Sequence, residues 1–276
     1  MFRARFPSAG FAPHALIGLA LLPVLGLAAC SSIPSGAEPS CPAISHTLPP
    51  ARLDQARAAL AAGQPLVIVT LGSSSTQSWM SSDAAHSYPA QLQATLNEGL
   101  PQTHVAVLNR GIGGQDAVEE VARIEKDVIA VRPQIVIWQV GANGVLRGSD
   151  PAEFARIVSD GVRRMQNAGI DVVLMDNQRA PKILAAESTG DRIDPALAAV
   201  AAETGASLFS RGRLMDDWAA GGRPYQEFIS SDGLHHNNLG YRCVAQALAG
   251  TLLSGLDRPV AGGSGASAAP AAAPRS

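Results

Sequence analysis

The chain has 276 residues, with 21 lysines and arginines against 23 aspartates and glutamates, for a formal charge of −2. A near-neutral balance without a basic stripe excludes nucleic acid as a partner, because phosphate binding takes clustered positive charge. None of its three cysteines and six histidines is grouped at metal-ligand spacing, so neither a metal nor a cofactor is expected.

Residues 1–29 form a targeting segment. Arg3 and Arg5 make a positive start, and Ala15 to Ala28 is an apolar run broken by Gly18, Pro23 and Gly26. The run falls short of the roughly 20 apolar residues of an ordinary membrane-spanning helix, so it reads as an export signal. It ends in Leu27-Ala28-Ala29-Cys30. That ending resembles a bacterial lipobox, whose cysteine becomes a lipidated N-terminus; the alternative is a plain signal peptide with an incidental cysteine. By the same resemblance, Ser31 and Ser32 in place of aspartate imply an outer-membrane lipoprotein facing the periplasm. Removing the segment takes away two arginines and no acid, which moves the formal charge from −2 to −4. Residues 30–50, rich in Ser and Pro, read as a tether. Residues 258–276 lack apolar periodicity and read as a disordered tail. Residues 51–257 remain as one domain.

Within it, Leu66–Leu71 is a continuous apolar run rich in β-branched residues, which predicts a strand buried on both faces. Val105–Leu108 predicts a second strand. Val121, Ile124 and Val128 then mark a helix that ends before Pro133. Ile135–Trp138 is a third strand. It leads to a helix over 151–168 whose inward face carries Phe154, Ile157, Val158, Val162 and Met165. Asp150 can cap that helix, Pro151 suits its first turn, and Glu153 sits where a capping-box acid belongs. Val172–Met175 is a fourth strand, Asp194-Pro195 starts another helix, and Ser207–Phe209 is a weaker fifth strand. A last helix is opened by Asn237 or Asn238. Alternation of this kind implies βαβ crossovers and a three-layer α/β/α domain, whose ligands bind beyond the carboxyl ends of the strands.

Those ends are chemically suggestive. Gly72-Ser73-Ser74-Ser75-Thr76 follows the first strand, Asn109-Arg110-Gly111-Ile112-Gly113-Gly114 the second, and Gly141-Ala142-Asn143-Gly144 the third. Together they offer a hydroxyl, exposed backbone N–H groups and a side-chain amide, the parts acyl transfer requires. The glycines lack G-x-G-x-x-G spacing, and the Ser74 turn is no G-x-S-x-G elbow. Asp232 and His235, three apart, can share one side of a turn, the carboxylate orienting an imidazole base. Asp83 and His86 have the same spacing, and spacing does not choose between the pairs.

Gly72-Ser73-Ser74, Gly114, Asn143 and Asp232-Gly-Leu-His235 stand in the order of the four blocks of the SGNH/GDSL serine hydrolases, which this chain resembles over most of its domain. The resemblance implies a parallel, flavodoxin-like sheet. It also implies Ser74 as nucleophile, His235 as base oriented by Asp232, and an oxyanion hole built from the N–H groups of Ser74 and Gly114 and the amide of Asn143. Ser73 and Gly144 stand where the common GDS and GxND patterns carry Asp. The family covers lipases, thioesterases, carbohydrate acetylesterases and sugar O-acetyltransferases. With an envelope address, the expected substrate is a small acyl ester, such as acetyl, on a carbohydrate. The alternatives are an O-acetyltransferase with the same residues and a glycan-binding pseudo-enzyme.

Cys41 and Cys243 are the thiols left in an oxidising compartment, where pairing is favoured. A free Cys41 with a buried Cys243 fits the sequence equally well. Trp79, Tyr88 and His86 follow the nucleophile turn and suit either a substrate wall or packing. Asp176, Asn177 and Gln178 follow the fourth strand and suit either substrate contact or loop capping. His236, beside the base, is expected to face solvent.

Overall fold

The computed structural model describes residues 39–43 and 48–257, with the backbone alone over 187–191. The segments expected to be an export signal and a C-terminal tail, and Cys30 with them, lie outside the described residues. In chain order the elements are α1 (Asp54–Ala61), β1 (Leu66–Gly72), α2 (Ser74–Gln77), α3 (Tyr88–Gly99), β2 (Val105–Gly111), α4 (Ala117–Ala122), α5 (Ile124–Asp127) and β3 (Ile135–Gln139). There follow α6 (Ala142–Arg147), α7 (Pro151–Asn167), β4 (Asp171–Met175), α8 (Pro181–Ala185), α9 (Glu187–Thr204), β5 (Ser207–Phe209), α10 (Arg211–Ala220) and α11 (Asn238–Leu256).

The five strands form one parallel sheet in the order β2-β1-β3-β4-β5. The chain steps one way from β1 to β2 and the other way from β2 through β5. Right-handed crossovers therefore put α3 on one face and α4, α7 and α9 on the other. α11 packs against α3, and α7 against α9 and α4. The central strands β1, β3 and β4 are buried nearly throughout, as their apolar runs predict, whereas the edge strand β2 is mostly half-buried. Trp138 of β3 is fully buried beneath Gly161 of α7, where a Cβ would come within 2.7 Å of its ring. Its indole N–H donates to Glu120 at 2.8 Å. Burial pushes the Glu120 carboxyl well up, against the opposing pull of that bond.

Three helix expectations change. Asp150 does cap α7, accepting from the Glu153 N–H at 2.9 Å, but the Glu153 carboxylate turns outward to Arg156 at 2.7 Å. The capping box sits instead at α4, between Asp116 and Glu119. The helix expected around Val121 to Val128 is broken at Arg123, which is drawn toward the strand ends described below. The helix expected to begin at Asp194 begins at Glu187 and carries Pro195 inside it. Pro195 costs the helix a backbone hydrogen bond and crowds the carbonyl one turn earlier, while Asp194 accepts from the Asn177 amide at 2.7 Å instead of capping.

The sheet delivers three turns to one place. Gly72 at the end of β1 stands level with Gly111 of β2 and Gln139 of β3. The crossovers leave in opposite directions between β1 and β3, the switch point at which an open α/β sheet leaves a crevice.

Candidate active site

β1 ends at Gly72, where a Cβ would meet the Thr76 hydroxyl and come within 2.8 Å of the Gln139 carbonyl. Only glycine lets the chain turn this tightly into α2, whose first residue is Ser74. The turn is held from below by Gln139. Its side-chain oxygen accepts from the Ser73 N–H at 3.2 Å, the Ser73 hydroxyl at 3.2 Å and the Thr76 hydroxyl at 3.1 Å. Asn109 adds a bond from its amide to the Thr76 carbonyl at 2.9 Å.

The Ser74 hydroxyl lies 2.8 Å from His235 Nε2, and His235 Nδ1 lies 2.5 Å from Asp232 Oδ2. The other oxygen of Asp232 accepts from the N–H groups of Leu234 (2.9 Å) and His235 (3.0 Å) and from the Ser230 hydroxyl (2.8 Å). Desolvation would raise this carboxyl, but the bonds from the His235 ring, the two N–H groups and Ser230 outweigh it and hold Asp232 well below the usual carboxylate range. An ionised Asp232 keeps the proton on Nδ1 and leaves Nε2 to accept from Ser74.

The second turn reaches Ser74 through Gln77, which accepts from the Gly113 N–H at 2.9 Å. A Cβ on Gly113 would stand 3.8 Å from that of Ser74. Gly114 has φ of 81°, the left-handed region that favours glycine, and its carbonyl accepts from Arg147 at 2.7 Å. The third turn closes on the second, as Asn143 Nδ2 donates to the Gln115 carbonyl at 2.7 Å. An amide nitrogen carries two hydrogens, so a second N–H remains for a ligand. Ser74, Gly114, Asn143, Asp232 and His235 thus come from four separate segments to one crevice. Asp83 and His86 do not join them; they pair with each other at 2.8 Å on the loop after α2.

Residues 40–258 match the Non-GDSL lipase-like family. The chain belongs to that family. Among solved structures the fold resembles a two-domain esterase active on acetylated mannans, at 23% identity and a TM-score of 0.66, covering 78% of this chain and 57% of that one. The chain therefore spans a little over half the length of that esterase. It also resembles an acetylxylan esterase from Geobacillus stearothermophilus (19% identity, TM-score 0.58, 70% of this chain and 95% of that one). A third likeness is to a putative lipolytic protein of the G-D-S-L family from Desulfitobacterium hafniense (20%, 0.55, 67% and 99%). A comparison with curated protein sequences finds no match.

In this member of the Non-GDSL lipase-like family, several supporting residues escape the sequence. Gln139 is the acceptor that holds the turn carrying Ser74; a polar residue closing an apolar strand is its signal in the sequence. Arg123 donates to the carbonyls of Gly72 (2.9 Å) and Arg110 (2.7 Å), to the Gln115 side chain (2.6 Å) and to Asp127 (2.9 Å). One guanidinium so fastens the first turn to the second, and no local pattern announces it. Gln178 donates to the Leu234 carbonyl at 2.9 Å, while buried Arg211 donates to its other end at 2.6 Å. That chain steadies the segment carrying His235. Asp176 takes the capping role, accepting from Ser210 at 2.5 Å and the Gly212 N–H at 2.9 Å, with burial pushing it up to about 6.

His236 is fully buried and does not face solvent. It lies in an isolated β-bridge with Ile229, where successive side chains point to opposite sides, so His235 faces the crevice and His236 the core. His236 Nδ1 donates to the Phe228 carbonyl at 3.1 Å, and Nε2 is buried without a hydrogen-bond partner. Burial and the nearby Arg211 charge push its pKa down to about 3, so the ring is neutral.

Proposed function

We propose that the protein is a serine esterase acting through an acyl-serine intermediate. Ser74 attacks the ester carbonyl as His235 Nε2 takes its proton. The carbonyl oxygen, as it gains charge, is met by the N–H groups of Ser74 and Gly114 and the Asn143 amide. His235 then returns the proton to the departing alcohol, and a water activated by the same imidazole hydrolyses the acyl-serine. The observation that carries the reading is the continuous relay from Ser74 Oγ to His235 at 2.8 Å and on to Asp232 at 2.5 Å.

The names of the mannan and xylan esterases among its structural likenesses support a small acyl group, acetyl, on a carbohydrate. The disulfide that joins Cys41 to Cys243 supports an oxidising compartment. With the lipobox-like Cys30, it favours a lipid-anchored protein of the bacterial envelope. A fluorophosphonate should label Ser74 covalently in the wild type, and Ser74→Ala should abolish both labelling and turnover of 4-nitrophenyl acetate. Undiminished labelling in that variant would overturn the assignment.

A further inference from the structure

Trp79 stands 55% exposed, and Met80 beside it is also exposed. The backbone works to keep them there. Ser78 and Met80, on either side of Trp79, hold φ of 67° and 69°, a region that side-chain-bearing residues occupy at a cost and that clusters at functional sites. Trp79 itself is pinned at both backbone groups: its N–H donates to the Ser74 carbonyl at 2.9 Å, and its carbonyl accepts from the Tyr241 hydroxyl at 2.7 Å. The indole lies beside the catalytic imidazole, with the ring centres of Trp79 and His235 6.5 Å apart.

Polar groups border the same loop. The Ser82 N–H donates to Asn238 at 3.0 Å, the Asn238 amide donates to the Ser82 hydroxyl at 2.8 Å, and His86 joins Ser82 at 3.1 Å and Asp83 at 2.8 Å. Asn238 lies three residues beyond His235, which ties this loop to the base. An exposed aromatic plate on a loop that also carries hydroxyl, amide and imidazole groups has the chemistry to take a sugar: a pyranose C–H face can lie on the indole and its hydroxyls can meet the polar groups of that loop. The imidazole returns its proton to the leaving alcohol oxygen, so a sugar that carries the ester is held within reach of His235 and of the Trp79 ring 6.5 Å from it.

We propose that Trp79, with the Ser82–His86 loop and Asn238, forms a subsite for the pyranose ring that carries the ester. The proposal rests on the serine-esterase reading for its orientation but has a readout that needs no turnover. Trp138 and Trp218 are buried, so Trp79 is the tryptophan that acrylamide reaches from solvent. In Ser74→Ala protein, saturating acetylated manno-, xylo- or gluco-oligosaccharide should protect the fluorescence from acrylamide, and the double variant with Trp79→Phe should show no protection. In active protein, Trp79→Ala should lower the ratio of kcat/KM for the acetylated oligosaccharide over that for ethyl acetate by about tenfold, the scale of one lost aromatic stack. Trp79→Phe should recover part of that ratio. An unchanged ratio would show that the indole only supports His235, and absence of protection by every sugar would refute the subsite while leaving the esterase reading intact. Turnover that survives Ser74→Ala would instead remove the esterase reading, with the protection result still deciding whether Trp79 meets sugar.

Discussion

Replacing Asp232 by asparagine tests the relay with little disturbance of shape. In the wild type one carboxylate oxygen accepts from two backbone N–H groups and the Ser230 hydroxyl, and the other faces His235 Nδ1. The asparagine carbonyl can keep the first set, so its NH₂ must face the imidazole. Two donors then oppose each other, and the ring relieves this by moving its proton to Nε2. Nε2–H meets the Ser74 hydroxyl as a donor and can no longer take its proton. Loss of tautomer control cost about 10⁴ in kcat in the chymotrypsin-type triad, which sets an upper guide here. Stability should fall much less, by about 1.5–3 kcal/mol for one charge-assisted bond. In a domain of this size that lowers Tm by roughly 3–12 °C. The assay is kcat on 4-nitrophenyl acetate at neutral pH beside a thermal melt. Because hydrogen bonding holds the Asp232 carboxyl well below its ordinary range, the wild type should keep this residue ionised throughout the mildly acidic range. A variant with normal melting and a kcat loss below about tenfold would refute the orienting role, since tautomer control is worth far more than that.

Asn143→Ala should lower kcat by about 10²–10³ with KM little changed, because an oxyanion donor acts chiefly in the transition state; a near-normal kcat would remove Asn143 from the reaction. Titration of the unfolded, unreduced protein should find neither Cys41 nor Cys243 as a free thiol. Cys41→Ser should lower stability, by at most roughly 5 kcal/mol for so long a closed loop; an unchanged Tm would show that the bridge holds nothing. His236 has its folded-state pKa depressed from 6.5 to about 3, so the unfolded chain binds the extra proton between those values. Its effect on stability is absent above about pH 6.5 and grows as the pH falls, at up to about 1.4 kcal/mol per pH unit. Relative to His236→Phe, the wild type should therefore lose Tm progressively below that pH, and parallel melting curves would overturn the buried neutral assignment.

The sequence by itself carried the layers of this fold and the candidates for its reactive groups. Apolar runs such as Ile135–Trp138 and Val172–Met175 can be satisfied only by burial on both faces, and the alternation with helices forces parallel crossovers. The SGNH-like blocks likewise name Ser74, Gly114, Asn143, Asp232 and His235 without a structure, because each block is a short local turn. What spans the chain was decided only in three dimensions. Two Asp-x-x-His pairs look alike in sequence, and only the Asp232–His235 pair comes within reach of Ser74, 161 residues away. His236 is hidden because a β-bridge sends neighbours to opposite sides, which composition does not reveal. Gln139, Arg123 and Gln178 act through carbonyls and turns of other segments, so their partners exist only once the strands are aligned. Trp79 suits wall and packing alike in the sequence, and only the fold, with two left-handed residues and the Tyr241 bond, sets it outward beside His235.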